Sequence, residues 1–181
     1  PMHGFKMYRT IEWALDMGIP FIGIHDSPGA RIPDMNSKSV FGEAMEKHGG
    51  AIFYPNTQAS GLIPQISAIM GSCAGISVYS PALTDFVFMV DKTSHMFITG
   101  PSMVGVVTGE TLTKDELGGA EVHCKISGLA DGRFASEKKL LDGIKELLGY
   151  LPQNAHEQPP VRDVGDDPER LTDELLSLIH I

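Results

Sequence analysis

The chain has few cysteines, no long apolar run and no excess of positive charge. Its 181 residues include only Cys73 and Cys124 as cysteines and carry a formal net charge of −9. Two isolated cysteines argue against a disulfide framework and favour structural thiols in a reducing compartment. We expect that compartment to be the cytoplasm or, in a eukaryote, the mitochondrial matrix. The negative charge argues against general binding to nucleic acid or anionic membranes, and no apolar run is long enough to span a bilayer.

The length fits one domain with a substantial apolar core. Pro1 precedes Met2, a helical pattern begins almost at once at Phe5, and the chain stops on an apolar run at 178–181. We therefore expect part of a longer protein. In that interpretation residues 1–155 are the later part of one domain, and 156–181 are a linker with the start of the following segment.

Apolar periodicity predicts strands that alternate with helices. A near-continuous apolar run, typical of a strand buried on both faces, lies at 20–24, and further strands are predicted at 65–70, 86–90 and 95–98. Helical patterns lie at 5–17, 40–51, 76–83, 136–149 and 168–181, and further helix starts are marked by Pro101 and by a capping box at Thr113. Residues 152–167 are polar and proline-rich, as in a linker. The alternation predicts an α/β fold with a parallel sheet.

One junction combines an apolar strand, a run of small residues and a helix start. Residues 65–70 lead into Gly71, Cys73, Ala74 and Gly75, and the helical pattern begins immediately afterwards. Small residues let a substrate approach the backbone, and the first turn of a helix presents N–H groups without internal acceptors. Such a corner can hold a developing oxyanion, for example the enolate oxygen of a thioester. Close packing of helix on strand is the alternative explanation of these residues.

Other candidate features each have a structural alternative. The loop 26–33 lies at the carboxyl end of a strand, where ligands bind in open α/β sheets, although Asp26 and Arg31 could simply pair with each other. Gly100 and Pro101 begin a helix whose amino terminus suits an anionic phosphate, or they only initiate that helix. Cys73 has no basic neighbour that would make it a nucleophile. The histidines show no metal-ligand spacing, and we assign no metal site.

Seven short motifs stand in one order along residues 5–155. They are 26–32 (DSPGARI), 59–67 (ASGLIPQIS), 71–75 (GSCAG), 78–86 (VYSPALTDF), 96–101 (MFITGP), 116–120 (ELGGA) with His123, and 150–152 (YLP). Together they resemble the carboxyltransferase (β-type) subunit of biotin-dependent acyl-CoA carboxylases, and most closely its propionyl-CoA carboxylase branch. The resemblance implies a crotonase-like (ClpP-like) fold, a ββα spiral, of which this chain would be a partial domain.

The resemblance also implies a function. A subunit of this family moves CO2 from carboxybiotin to the α-carbon of an acyl-CoA through an oxyanion-stabilised enolate. Biotin would be carried by a separate carrier domain, and the coenzyme A thioester would be the substrate. The expected partners are the biotin carboxyl carrier and biotin carboxylase components, within a homo-oligomer of trimers or hexamers. The active site of the family lies between two domains, so the isolated chain is expected to be inactive.

The family's site residues transfer to matching positions of this chain. The two consecutive N–H groups that hold the thioester carbonyl correspond to Gly75 and Ile76, the implied catalytic residues. The implied substrate-binding residues are Ser27, Gly29, Ala30, Arg31, Gly71, Cys73, Ala74, Gly100 and Pro101.

Three residues depart from the family pattern. Ser72 stands where this branch has proline, and Ile76 and Pro28 stand where the family has glycine. A changed substrate pocket and a loss of activity are both open interpretations. Three alternative functions also remain open: a biotin-dependent acyl-CoA decarboxylase, a non-catalytic acyl-CoA-binding or assembly module, and a ClpP-like hydrolase with Ser77 as nucleophile.

Overall fold

The computed structural model describes residues 2–29, 53–167 and 169–171. The strands in these ranges are β1 (Phe21–Ser27), β2 (Gln65–Ala74), β3 (Phe86–Val90), β4 (His95–Phe97) and β5 (Gly132–Phe134). The helices are α1 (Met2–Met17), α2 (Phe53–Ala59), α3 (Tyr79–Ala82), α4 (Pro101–Thr108), α5 (Lys114–Gly118), α6 (Ala120–Lys125) and α7 (Glu137–Leu148). A 3-10 turn, Gly75–Val78, joins β2 to α3.

The five strands form one parallel sheet in the order β1-β2-β3-β5, with β4 also paired to β2. The first half of β2 pairs with β3, from Ile66 opposite Phe86 to Ile69 opposite Met89. The second half pairs with β4 instead, from Ser72 opposite His95 to Ala74 opposite Phe97. β2 therefore exchanges one neighbour for another between residues 69 and 72. The α/β fold class with parallel pairing is confirmed.

The apolar core occupies both faces of the sheet because the strand side chains alternate in direction. On one face, Ile66 and Phe88 contact the apolar stripe of α7, which includes Leu140 and Ile144. The opposite face buries a second cluster. Its members are Ile69, Cys73, Val78, Val87, Met89, Met96, Ala120 and Ala130. A sheet covered on both faces accounts for the near-continuous apolar character of β2 and β3. The predicted burial of 20–24 on both faces is wrong, because β1 lies at the end of the strand order and exposes Ile22 and Ile24.

Most helix starts have the chemistry that the sequence indicated. Thr113 forms a capping box with Glu116, in which each side chain accepts a hydrogen bond from the other's backbone. Ser136 caps α7 by accepting from the Lys139 N–H. Pro101 occupies the first turn of α4, where a missing N–H costs nothing. These three predicted starts are confirmed.

Several predicted bounds differ from the structure. β1 continues to Ser27, so the first residues of the predicted 26–33 loop belong to a strand. β2 continues from Met70 to Ala74, and the predicted helix over 76–83 is divided between the 3-10 turn and α3. Helices α2 and α6 and strand β5 have no counterpart among the predictions. The predicted helices at 40–51 and 168–181 lie largely or wholly outside the described residues, as does the loop beyond Gly29.

A buried polar network ties α2 and α3 to the start of β2. The Asn56 amide donates to Gln65 Oε1 at 2.9 Å, and the Gln65 amide donates back to the Asn56 carbonyl at 3.1 Å. Ser80 Oγ donates to Asn56 Oδ1 at 2.8 Å. Each buried amide is thereby satisfied, as burial requires.

In the described ranges, no helix has both the length and the apolarity that crossing a membrane would require.

The packing of α7 predicts a large effect of truncating Leu140, which is fully buried. We expect Leu140→Ala to lower the free energy of unfolding by about 2–5 kcal/mol, because it leaves a cavity between α7 and the sheet. The neighbouring Leu141, which is 38% exposed, is the matched control, and Leu141→Ala is expected to cost much less. Urea unfolding followed by circular dichroism measures both variants. Equal losses would contradict the assigned face of α7.

The burial of His25 predicts a pH dependence of stability. Burial lowers the pKa of His25 from 6.5 to about 4, and its Nε2 lies 3.3 Å from Ser67 Oγ. The unfolded chain therefore binds a proton that the folded chain does not, so stability is complete above pH 6.5 and decreases as the pH falls toward 4. The shift corresponds to about 3 kcal/mol.

We expect His25→Gln to flatten this pH dependence between pH 6.5 and 4, measured by urea unfolding at several pH values. His156→Gln, which removes an exposed imidazole, is the matched control. A His25→Gln profile parallel to that of the unmodified chain would contradict the prediction.

Candidate active site at the end of strand β2

The candidate site lies where β2 passes from β3 to β4. β1 pairs with β2 from Phe21 opposite Gln65 to His25 opposite Ile69, and resumes only with Ser27 opposite Cys73. β2 thus has three residues between these two pairs where β1 has one, which makes a bulge. Bulges increase local twist and commonly occur beside active sites.

Gly71 belongs to this bulge, and the Asp26 carboxylate occupies the space that a side chain at residue 71 would need. A Cβ built on Gly71 would lie 2.3 Å from Asp26 Oδ1. The small residue is therefore needed for strand packing. Gly71, Cys73 and Ala74, expected in the turn, are strand residues instead, because pairing with β4 and Ser27 extends the ladder past Met70.

Gly29 and Gly75 bring two backbone segments close together beyond the bulge. Both have positive φ angles, +110° for Gly29 and +61° for Gly75. A Cβ on Gly29 would lie 2.9 Å from the Ala74 carbonyl oxygen, and one on Gly75 would lie 3.9 Å from the Gly29 Cα. Glycine is required at residue 29 by both conformation and contact. The segment after β1 is consequently held against the β2 turn.

The segment after Gly75 begins as a 3-10 turn, and one α-helical hydrogen bond beyond it cannot form. Pro81 has no N–H that could donate to the Ser77 carbonyl four residues earlier. That carbonyl instead accepts a hydrogen bond from Cys73 Sγ at 3.2 Å. The Tyr79 N–H donates to the Ile76 carbonyl, three residues back. The buried Cys73 thiol thus attaches the turn to the core.

The N–H groups of Gly75 and Ile76 come before the first hydrogen bond within the turn, and the two groups differ in what surrounds them. Ala74 is extended, with φ −131° and ψ 156°, so the peptide link to Gly75 continues the strand. Successive N–H groups of a strand alternate between its two neighbours, and Pro28, which follows the residue opposite Cys73, has no N–H. The Gly75 N–H therefore lies on the β4 side, and the Ile76 N–H is the first one beyond the strand.

Two hydroxyl groups connect the β1 end to the turn. Ser77 Oγ donates to Ser27 Oγ at 3.1 Å, and the Gly29 N–H donates to Ser27 Oγ at 3.3 Å. Among the described residues, the histidine side chains with recorded hydrogen bonds contact other groups, such as Ser67, Asp115 and Ser127. None of these contacts supplies a base for a Ser77 nucleophile.

The thiols and acids of this region do not form a redox or metal site. Cys73 and Cys124 are free. Burial raises the pKa of Cys73 to about 12, so it is a thiol that donates to Ser77 and not a nucleophile. In the described part of the chain, no three histidine, cysteine, aspartate or glutamate side chains are placed to hold a metal ion.

The remaining predicted site residues are those at the start of α4 and those that follow Gly29 in the chain. Gly100 caps α4 with its carbonyl, which accepts from the N–H groups of Met103 and Val104, and Pro101 follows it. Gly100 lies next to the Phe97 ring at the end of β4, beside the β2 turn. Ala30 and Arg31 lie outside the described residues.

A buried histidine beside this strand has no local signal in the sequence. His95 is opposite Ser72, and its Nε2 lies 3.0 Å from Asp115 Oδ1. Its Nδ1 is buried and has no partner. The spacing of residues 72, 95 and 115 gives no local signal of this arrangement, which depends on strand register.

Comparison with known proteins agrees with the fold and with the motifs. The model of the carboxyl transferase domain family matches residues 1–180. The chain is 53% identical over 175 residues to the propionyl-CoA carboxylase carboxyltransferase subunit of Haloferax mediterranei, covering 96% of this chain and 32% of that protein. It is 48% identical to the methylmalonyl-CoA decarboxylase subunit alpha of Veillonella parvula, covering 98% and 34%.

The fold has a counterpart in a crystal structure of transcarboxylase 12S, described as a hexamer with hydrolysed methylmalonyl-CoA bound. The two chains superimpose with a TM-score of 0.80 at 42% identity, over 92% of this chain and 31% of the other. The chain spans about a third of the length of these relatives. Since the family model covers nearly every residue, the chain belongs to the carboxyl transferase domain family and has its crotonase-like fold.

Proposed function

We propose that this chain forms the acyl-CoA side of a biotin-dependent acyl-CoA carboxyltransferase. The observation that supports it is the turn at the end of β2, where the Ile76 N–H follows the strand and the β1 end is packed close by. Two relatives named for propionyl-CoA and methylmalonyl-CoA enzymes are about half identical to the chain. A thioester whose carbonyl reaches the turn would receive a hydrogen bond as its α-carbon loses a proton.

The Ile76 N–H is the donor in this proposal, and Gly75, whose own N–H lies on the β4 side, supplies the positive-φ residue that begins the turn. A donor that is already positioned stabilises the enolate without reorganisation, and loss of one such donor typically costs about 3–4 kcal/mol of barrier. Ser27, Gly29, Ala30 and Arg31 would contact the coenzyme A portion, with the start of α4 at Gly100 and Pro101 nearby. Gly71, Cys73 and Ala74 support the backbone of the turn and leave it open to the substrate.

Biotin is the proposed cofactor, held by a separate carrier. The described turn presents backbone and hydroxyl groups without a charged cluster, which suits a neutral carbonyl or ureido group meeting the thioester. When bound, carboxybiotin supplies the CO2 that the enolate captures. The residues of this chain would hold the acyl-CoA, orient its α-carbon and stabilise its enolate oxygen. Biotin carboxylase and carrier components, and a trimeric or hexameric assembly, are the proposed partners.

The first test is a chimera in which this chain replaces the corresponding third of the Haloferax mediterranei subunit. We expect the chimera to carboxylate propionyl-CoA with that protein's own carrier and biotin carboxylase, because the two sequences are 53% identical over 175 residues. Radiolabelled bicarbonate incorporation measures the reaction. Titration calorimetry of the isolated chain with propionyl-CoA measures binding without turnover.

The outcomes separate the candidate functions. Binding without carboxylation in the chimera would favour the non-catalytic module. The relative from Veillonella parvula makes decarboxylation the specific alternative. Release of labelled CO2 from methylmalonyl-CoA, without carboxylation of propionyl-CoA, would support it. The proposed function would be refuted if the isolated chain did not bind propionyl-CoA and the chimera showed no turnover.

The second test removes the proposed donor at Ile76. Proline at this position keeps a backbone angle suited to a first helical turn but has no N–H. We expect Ile76→Pro to reduce kcat of the chimera about 100-fold or more. Ile76→Val keeps the N–H and is expected to retain most of the activity. Equal activity of the two variants, with unchanged melting temperatures, would exclude the Ile76 N–H as the donor.

A further inference from the structure

Strand β4 is too short to keep its place in the sheet by strand pairing alone. It has three residues, His95–Phe97, and pairs with Ser72, Cys73 and Ala74 of β2. Among the described strands, β2 is its only partner in the sheet. A single short strand pair is marginally stable in water, and an unpaired strand edge leaves backbone groups without partners. β4 therefore needs contacts from outside the sheet.

The junction between α5 and α6 supplies two such contacts. Gly119 forms an isolated antiparallel bridge with His95. His123 Nε2 lies 2.8 Å from the Met96 carbonyl oxygen. Because a carbonyl oxygen only accepts hydrogen bonds, the ring nitrogen is the donor. Two of the three residues of β4 are thus held by this junction.

The small residues of the motif 116–120 let the junction approach β4 closely. A Cβ on Gly118 would collide with the Met96 carbonyl oxygen and would lie 3.2 Å from His123 Nε2. Ala120, at the start of α6, is buried in the same apolar cluster as Met96. The glycine, the alanine and the histidine of this motif therefore serve one purpose, which is contact with β4.

The His123 side chain is itself held in place. Its Nδ1 lies 2.9 Å from Ser127 Oγ, so both ring nitrogens have a hydrogen-bond partner. Its backbone N–H donates to the Gly119 carbonyl, and its carbonyl accepts from the Ala130 N–H, each at 3.1 Å. A side chain whose orientation is fixed by such supporting bonds can position another group precisely.

β4 in turn limits where the Ile76 N–H can lie. The residues of β2 opposite Met96 and Phe97 are the last two before the turn, and Ile76 is the second residue after them. The first of these two, Cys73, also donates through its thiol to the Ser77 carbonyl, just beyond Ile76. A shift of β4 would therefore move the backbone on both sides of the Ile76 N–H.

We propose that His123 is a positioning residue for the Ile76 N–H and that it acts through β4. By holding the Met96 carbonyl, the imidazole fixes the short strand, and the short strand fixes the end of β2. This inference rests on the proposed function for the role of the Ile76 N–H as the enolate donor. It assigns His123 neither a contact with the substrate nor a proton transfer.

Removal of the imidazole donor tests the inference in the chimera. His123→Phe keeps a ring but has no N–H. We expect it to lower kcat and kcat/KM together by about tenfold, because a misplaced donor loses an interaction that is made in the transition state. His123→Gln has an amide that can donate to the same carbonyl, and we expect it to restore most of the activity. Radiolabelled bicarbonate incorporation measures both variants.

Leu140→Ala is the matched control for a loss of stability, because Leu140 is buried on the other face of the sheet from Met96. We expect it to lower the melting temperature at least as much as His123→Phe does, while kcat below the melting transition stays unchanged. The inference would be overturned by an unchanged kcat in His123→Phe, by equal losses in His123→Phe and His123→Gln, or by a kcat that follows the melting temperature in all variants.

A measurement without ligand separates this inference from the proposed function. In the isolated chain, we expect His123→Phe, but neither His123→Gln nor Leu140→Ala, to shift the amide NMR signal of Ile76. An unchanged Ile76 signal in His123→Phe would refute the positioning role even if the chimera is active. A shifted Ile76 signal, together with an unmodified chimera that shows no turnover, would support the positioning of this N–H and refute the proposed function alone.

Discussion

The exchange of neighbours along β2 is the constraint on which the candidate site depends. The strand is held by β3 through Ile69 and by β4 from Ser72 onward. Two neighbours on the same side of one strand require it to bend between them, and the bulge opposite Asp26 provides the bend. The end of β2 therefore continues along β4 and away from β3.

Small residues around the bulge are needed for close packing. Gly71 is required because the Asp26 carboxylate fills the space beside it, and Gly29 because the Ala74 carbonyl does. In the sequence, close packing and substrate access are alternative explanations of these residues. The structure shows the close packing, and the same approach of the two backbones places the β1 end next to the turn.

Local signals predicted the elements that depend on local chemistry. β3, the starts of α4 and α5, and the whole of α7 follow from apolar runs, a first-turn proline and side-chain caps. The end of β2 could not be predicted in this way, because it is set by register with β4, more than twenty residues later. β5 has three residues and pairs only with β3, so it has almost no periodic pattern of its own.

The site itself was predictable only as a backbone location. The family motifs indicate the turn at Gly75 and Ile76, but the Ser27–Ser77 contact joins residues that are 50 positions apart. No spacing rule connects two such serines. The missing α-helical hydrogen bond could be predicted in principle, since Pro81 has no N–H that could donate to the Ser77 carbonyl. The contact that replaces it, from the Cys73 thiol, depends on the fold and could not be predicted.

A site made of main-chain donors tolerates amino-acid substitutions differently from a site made of side chains. Ser72, Ile76 and Pro28 depart from the family pattern, yet a backbone N–H survives at Ile76 whatever its side chain is. Pro28 loses an N–H at the point where β1 ends, and proline restricts the preceding Ser27 to extended backbone, the conformation that it has in the strand. Under the proposed function, the Ile76 side chain would narrow the space beside this N–H without removing the donor. A changed substrate pocket is then the interpretation that fits these departures, because the N–H proposed for enolate stabilisation is kept.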